Sequence, residues 1–169
     1  CIAPVKDMLQ HTFSHINGIG PKIEENLWSA GITTWQEWQD PAPVRVSANG
    51  ASEATTTLAA SQQALAKENP SFFTSKLAAN ESWRIFPEFR DSVAYLDIET
   101  TGLDDFSEIT TIALYDGKEI FTYINGKNLD DFVQDIERYK VLVSYNGKSF
   151  DIPFIEQYFR ISLKQAQID

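Results

Sequence analysis

At 169 residues, 43% of them hydrophobic, the chain can bury one sizeable core with a small appended module. Its 12% aromatic and 22% charged content excludes a disordered class, and no stretch approaches the roughly 18 apolar residues of a membrane span. The net charge of −10 is uneven, −2 over residues 1–90 and −8 over residues 91–169, which argues against a nucleic-acid partner unless bound cations offset the carboxylates.

Residues 8–40 read as helical, with turn chemistry at Asn17-Gly18-Ile19-Gly20-Pro21 and apolar positions at Ile23, Leu27 and Ile32. Pro41 and Pro43 close that segment. Ser52 is expected to cap a helix running to about Glu68, which Asn69-Pro70 ends. A short helix over Ser71–Ala79 and an aromatic connector over Trp83–Phe89 follow. These readings divide the chain into a module at 1–40, a helical connector at 41–90 and a further domain at 91–169.

From Val93 the pattern changes to strands: Val93–Ile98, Glu108–Tyr115 and Lys118–Ile124, the last two joined through Asp116-Gly117, a strong hairpin signal. Leu129–Tyr139 has helical spacing, Val141–Tyr145 is a fourth strand, and Ile152–Phe159 a second helix. The order β-β-β-α-β-α, hairpins first and a crossover later, predicts an α/β fold with a mixed sheet flanked by helices.

Two blocks carry chemistry. Asp97 and Glu99 sit two apart at the end of the apolar run Val93–Leu96, so both project from one face of the strand. Side-by-side carboxylates repel unless a cation lies between them, and Mg²⁺ or Mn²⁺ takes oxygen ligands. The second block, Tyr145–Phe154, follows the fourth strand. A parallel crossover puts that strand's carboxyl end beside the first strand's, so Asp151, at a helix start, faces Asp97 and Glu99. Taken singly, Asp151 reads equally as an N-cap and Asn146-Gly147 as a plain turn.

Asp97-Ile98-Glu99-Thr100-Thr101-Gly102-Leu103 resembles the first motif of DEDD-type 3′→5′ exonucleases of the ribonuclease H-like superfamily, and Asn146-Gly147-Lys148-Ser149-Phe150-Asp151 their second. The form YNGKSFDIPFI is most similar to the YprB-like exonucleases and is also similar to proofreading domains of B-family DNA polymerases. The resemblance implies a ribonuclease H-like sheet and hydrolysis of nucleic acid with two Mg²⁺ or Mn²⁺ ions. It further implies that Asp97 bridges both ions, that Glu99 binds the one activating water, and that Asp151 holds the second. Thr100, Gly102 and Leu103 would contact the terminal nucleotide, and Asn146 and Phe150 would line the same cleft. The family's third motif, a Tyr or His base with a final Asp on a late helix, has no counterpart after Asp151. Asp169 resembles the Asp that begins the family's next strand. The sequence is therefore read as a fragment, incomplete at its C-terminal end, that binds metal poorly and cleaves slowly. A degenerate, purely binding version of the fold is the alternative.

Ile16–Ile23 with Leu27 and Gly31-Ile32 resembles one helix-hairpin-helix, in which backbone N–H groups at Gly18 and Gly20, with Lys22, would meet a phosphate independently of base sequence. A turn used only for packing is the other reading. Trp28, Trp35 and Trp38 are expected in the core. His11 and His15, at i and i+4, are expected to share a helix face in a solvated or capping role. Cys1, the only cysteine, allows no internal disulfide and fits a reducing, cytoplasmic setting. The sequence leaves DNA against RNA, and the oligomeric state, open.

Overall fold

The computed structural model describes residues 7–104 and 106–169, with Ala48 and Asn49 described by their backbone alone. Cys1, on which the disulfide reading rests, lies outside the described residues. The chain divides into two compact units, Cys1–Glu88 and Phe89–Asp169. Among the described residues no helix is long and apolar enough to cross a membrane.

The first unit is helical. A 3₁₀ turn at Leu9–His11 precedes α1 (Pro21–Ser29), whose proline at the first helical position needs no N–H partner. Gly31, at φ +88°, ends α1, and the Ile32 N–H turns back to the Leu27 carbonyl at 2.9 Å. A second 3₁₀ turn, Trp35–Glu37, starts with a reciprocal Thr34–Glu37 cap. Then come α2 (Ala48–Ala66), α3 (Pro70–Thr74), a 3₁₀ run at Ala79–Ile85 and α4 (Phe86–Phe89), which carries the chain across the division. The core gathers Leu9, Phe13, Ile16, Leu27, Trp35, Phe73 and Ile85, with Trp35 stacked on Phe73 at 6.1 Å.

Several local expectations shift here. Ser47, not Ser52, caps α2: its Oγ accepts the Gly50 N–H at 3.1 Å. Gly50 makes this earlier start possible, because a Cβ there would meet Val46 Cγ1 at 2.9 Å. The helix predicted over Ser71–Ala79 stops at Thr74, and the expected connector is instead a 3₁₀ run and α4. His11 and His15 share no helix, since the 3₁₀ turn ends at His11. His11 Nδ1 lies 2.7 Å from the Thr33 carbonyl, while His15 is buried against Ser61 Oγ at 2.8 Å. Trp35 is in the core as expected, whereas Trp28 is exposed, its indole N–H donating to the His11 carbonyl.

The second unit is a five-stranded mixed sheet in the order β3-β2-β1-β4-β5. Its strands are β1 (Val93–Thr100), β2 (Ile109–Tyr115), β3 (Ile120–Ile124), β4 (Val141–Val143) and β5 (Ala166–Ile168). β1 to β3 form an antiparallel meander, and β4 and β5 are parallel to β1. The helices α5 (Asp131–Asp135, continued by a 3₁₀ turn at Ile136–Arg138) and α6 (Asp151–Phe159) flank the crossovers. The β-β-β-α-β-α order is the expected one, and β5 adds a strand that the sequence reading lacked. Ala94, Leu96 and Ile98 of β1 point into a core with Ile112, Leu114, Phe132, Leu142 and Ile155. Strand alternation therefore turns Tyr95, Asp97 and Glu99 to the other face, where all three are exposed.

Candidate active site

The ladder between β1 and β4 ends where Tyr95 pairs with Val143, so β1 runs on past the end of β4. Asp151 occupies that step. Its Oδ1 accepts the Ile98 N–H at 3.2 Å, supplying a partner for a backbone donor that β4 no longer reaches. Asp151 is the first residue of α6 and is only 6% exposed. The turn from β4 to α6 sets its position. Asn146 takes a left-handed conformation at φ +57°, and the Gly147 carbonyl accepts the N–H groups of both Phe150 and Ile152. Gly147 has no room for a side chain, since a Cβ would lie 2.1 Å from Ser144 Oγ.

Burial raises the Asp151 carboxyl above the ordinary aspartate range, hydrogen bonds from its own and the Ile98 N–H groups oppose this, and the charges of Asp97 and Asp169 push it further up. Asp151 thus sits against β1 within electrostatic reach of Asp97 and of Asp169, the latter following β5 rather than beginning a strand. Asp169 Oδ1 accepts the Gly147 N–H at 2.9 Å. Glu99 projects from the same face of β1 as Asp97, beside a register shift between Glu99 and Thr100. Among the described residues, no three His, Cys, Asp or Glu side chains form a group able to hold a metal ion.

The donor set still has the right chemistry for a hard cation. It consists of carboxylate oxygens, and Mg²⁺ commonly takes one or two of these, completing its shell with water and substrate phosphate. The electrostatic conflict between Asp151, Asp97 and Asp169 is the kind that a cation relieves.

The remaining predicted residues lie at the end of β1 and on the loop after it, in the turn before α6, and in the first unit. Thr100 Oγ1 donates to the Gly102 carbonyl at 2.7 Å, and a Cβ on Gly102 would meet Ser107 Oγ at 2.7 Å, so Gly102 has no room for a side chain. Leu103 on that loop is 84% exposed. It lines a groove of about 450 Å³ with Phe154, Tyr158 and Arg160 of and just beyond α6. Phe150 packs against Phe154 at 5.5 Å, and Asn146 is exposed at the apex of its turn. In the first unit, Gly18 has φ +86° and packs against Gly50 Cα, to which a Cβ would approach within 3.2 Å. The left-handed backbone and the close approach of Gly50 each favour glycine at that position. Gly20 faces open space and Lys22 is exposed, at the start of α1.

Two features escaped the sequence reading. The three-residue strand β5 alternates too briefly to register. The Asp169–Gly147 bond spans 22 positions, and no local pattern signals it.

The second unit is thus a mixed α/β sheet with carboxylates near the carboxyl end of its central strand. Residues 94–169 match the family model described as RNase_H superfamily, which supports a ribonuclease H-like assignment for this part of the chain. No curated protein and no solved structure matches the chain.

Proposed function

We propose that the second unit is the nucleotide-cleaving part of a metal-dependent 3′→5′ exonuclease that hydrolyses phosphodiester bonds of DNA or RNA. The observation that carries this reading is the placement of Asp151 against β1, where Asp97 acts on its charge. Asp97, Glu99 and Asp151 would hold two Mg²⁺ or Mn²⁺ ions; such ions lower the pKa of a bound water and stabilise the leaving oxygen of an in-line displacement. The chain's own part is positional. β1 presents Asp97 and Glu99 to solvent, and the Ile98 N–H fixes one oxygen of Asp151. Thr100, Gly102 and Leu103, on the end of β1 and the loop after it, and Asn146 and Phe150, in the turn before α6, would bind the strand end. The turn at Gly18, Gly20 and Lys22 would add a backbone-phosphate contact independent of sequence.

The test is Mn²⁺-dependent shortening of a 5′-labelled single strand by the chain and by Asp97→Ala. Stepwise loss of 3′ nucleotides that vanishes in the variant supports the exonuclease. Nucleic-acid binding without cleavage by either protein selects the second reading, a binding module on the same fold; the missing three-residue metal group among the described residues favours it.

A further inference from the structure

We propose that Asp169 is a positioning residue of the carboxylate site: by holding the Gly147 N–H it fixes the turn that seats Asp151 against β1. The consequence for metal binding rests on the nuclease reading above; the positional link itself is independent of it.

The link runs through consecutive contacts. Asp169 Oδ1 accepts the Gly147 N–H at 2.9 Å, and the Ile168 carbonyl accepts the Ser144 N–H at 3.1 Å. β5 and the residue that follows it therefore hold the turn at its entry and at its centre. Gly147 is where the turn has least freedom, because Ser144 fills the space a side chain would need. The Gly147 carbonyl in turn accepts the Phe150 N–H at 3.3 Å and the Ile152 N–H at 2.9 Å, bracketing Asp151 in the first turn of α6. Asp151 then reaches Ile98 of β1. A displacement at Gly147 thus passes to Asp151 through two hydrogen bonds on either side of it. Groups standing behind metal-binding side chains in this way orient them and tune their affinity. The same geometry brings the Asp169 charge toward Asp151, which is unfavourable for the bare carboxylates and favourable once a cation is present.

The test compares the chain with Asp169→Asn, Asp169→Glu and Asp169→Ala, reading the backbone amide resonances of Gly147 and Ile98 and the binding of Mn²⁺ alone. Asn keeps an acceptor at the same reach, whereas Glu keeps the charge but moves the oxygen by one methylene. We expect Asp169→Glu and Asp169→Ala to shift both amides, and Asp169→Asn to leave Ile98 in place. Mn²⁺ binding should weaken about 10–100-fold in the Glu and Ala variants and by less than about threefold in the Asn variant. Should Asp169→Ala fail to fold, the Asn and Glu pair decides the matter. An Ile98 amide that stays put in Asp169→Glu, or that moves as far in Asp169→Asn as in Asp169→Glu, overturns the proposal. A wild-type chain that binds no Mn²⁺ while the amide pattern holds overturns the nuclease reading and leaves the positional link standing.

Discussion

Asp151 and Ile98 are joined by a hydrogen bond that closes the step between two strands of unequal reach: the Asp151 carboxylate takes the backbone N–H that β4 is too short to pair. On the nuclease reading proposed above, one carboxylate thereby serves both fold and site. It satisfies a backbone donor, and it stands, buried, within the influence of Asp97 and Asp169. The two duties pull apart energetically, because the hydrogen bond favours the fold while burial beside like charges opposes ionisation.

Replacing Asp151 by Asn should therefore separate stability from function. Asn retains a carbonyl oxygen for the Ile98 N–H and removes the buried charge, so thermal unfolding should occur at the same temperature or higher. Mn²⁺ affinity and any cleavage should fall by at least about 100-fold, since residues behind metal ligands already cost about 10–100-fold. This is the trade-off expected where a site is held at the expense of stability. A variant that loses stability and metal binding together would show that Asp151 is chiefly structural.

Gly147→Ala should damage the same site from the backbone side. Its Cβ would lie 2.1 Å from Ser144 Oγ and 2.4 Å from Ser144 Cβ, so the turn must move. Overpacking of this kind costs about 1–3 kcal/mol, measurable by urea denaturation. Gly117 provides the contrast: it has φ +91° but open space around it, so Gly117→Asn, which tolerates that conformation, should cost little. Equal losses at both positions would remove the steric argument.

How far the sequence revealed this arrangement depended on how local each determinant is. Asp116-Gly117 announced the β2–β3 hairpin because the turn is built from its own residues: Asp116 Oδ1 accepts the N–H groups of Lys118 and Glu119. The spacing of Asp97 and Glu99 was readable because strand alternation sets their face. Asp151 was readable as a helix start facing β1, from its place after a parallel strand. What escaped depends on distant partners. Ser47 rather than Ser52 caps α2 because Gly50 fits against Val46 and Ser47. Glu24 looks like a surface charge beside Lys22 and Glu25, yet it is 1% exposed, because the Phe13 and Ser14 N–H groups and Arg84 meet it from elsewhere in the chain. Residues 8–40 contain one α-helix between two 3₁₀ turns, since Gly31 stops α1 after nine residues.

That buried ion pair yields a third prediction. Glu24 Oε2 lies 3.0 Å from Arg84 Nη1, while its Oε1 accepts the Phe13 N–H at 2.6 Å and the Ser14 N–H at 3.0 Å. Arg84 also pairs with Glu81. Arg84→Met leaves Glu24 buried and uncompensated and should destabilise the first unit by about 3–5 kcal/mol. Adding Glu24→Gln removes the stranded charge while keeping an oxygen for the two backbone donors, so the double variant should recover about 1–3 kcal/mol. Additive losses in denaturant titrations would show that the pair is not coupled.

The first unit also carries a half-buried Glu88 and a buried His15 whose titrations oppose each other. Burial pushes the Glu88 carboxyl up from 4.5 to about 7, against the Leu9 and its own N–H contacts and with a small push from Asp7. Burial pulls the His15 imidazole down from 6.5 to about 4, helped by the charges of Lys76 and Arg84 and opposed by a Thr12 backbone contact. Between pH 4.5 and about 7 the folded chain holds a proton on Glu88 that the unfolded chain releases, so Glu88 lowers stability as pH rises through that window. Between pH 6.5 and about 4 the unfolded chain takes up a proton that buried His15 refuses, so His15 lowers stability as pH falls. The slopes oppose each other where the windows overlap, and these two groups together give a plateau at mildly acidic pH with losses on both sides. Glu88→Gln isolates one limb. It keeps an oxygen for the Leu9 N–H and removes the ionisable group, so, with the shift discounted for the partial exposure of Glu88, it should stabilise the protein by about 1–2 kcal/mol at pH 8 and hardly at all at pH 4.5. The plateau should then become a rise that levels off above pH 6.5, where His15 is neutral in both states. Denaturant midpoints at pH 4.5, 6 and 8 decide it: a gain of the same size at pH 4.5 and pH 8 would mean that Glu88 titrates as an ordinary surface carboxylate.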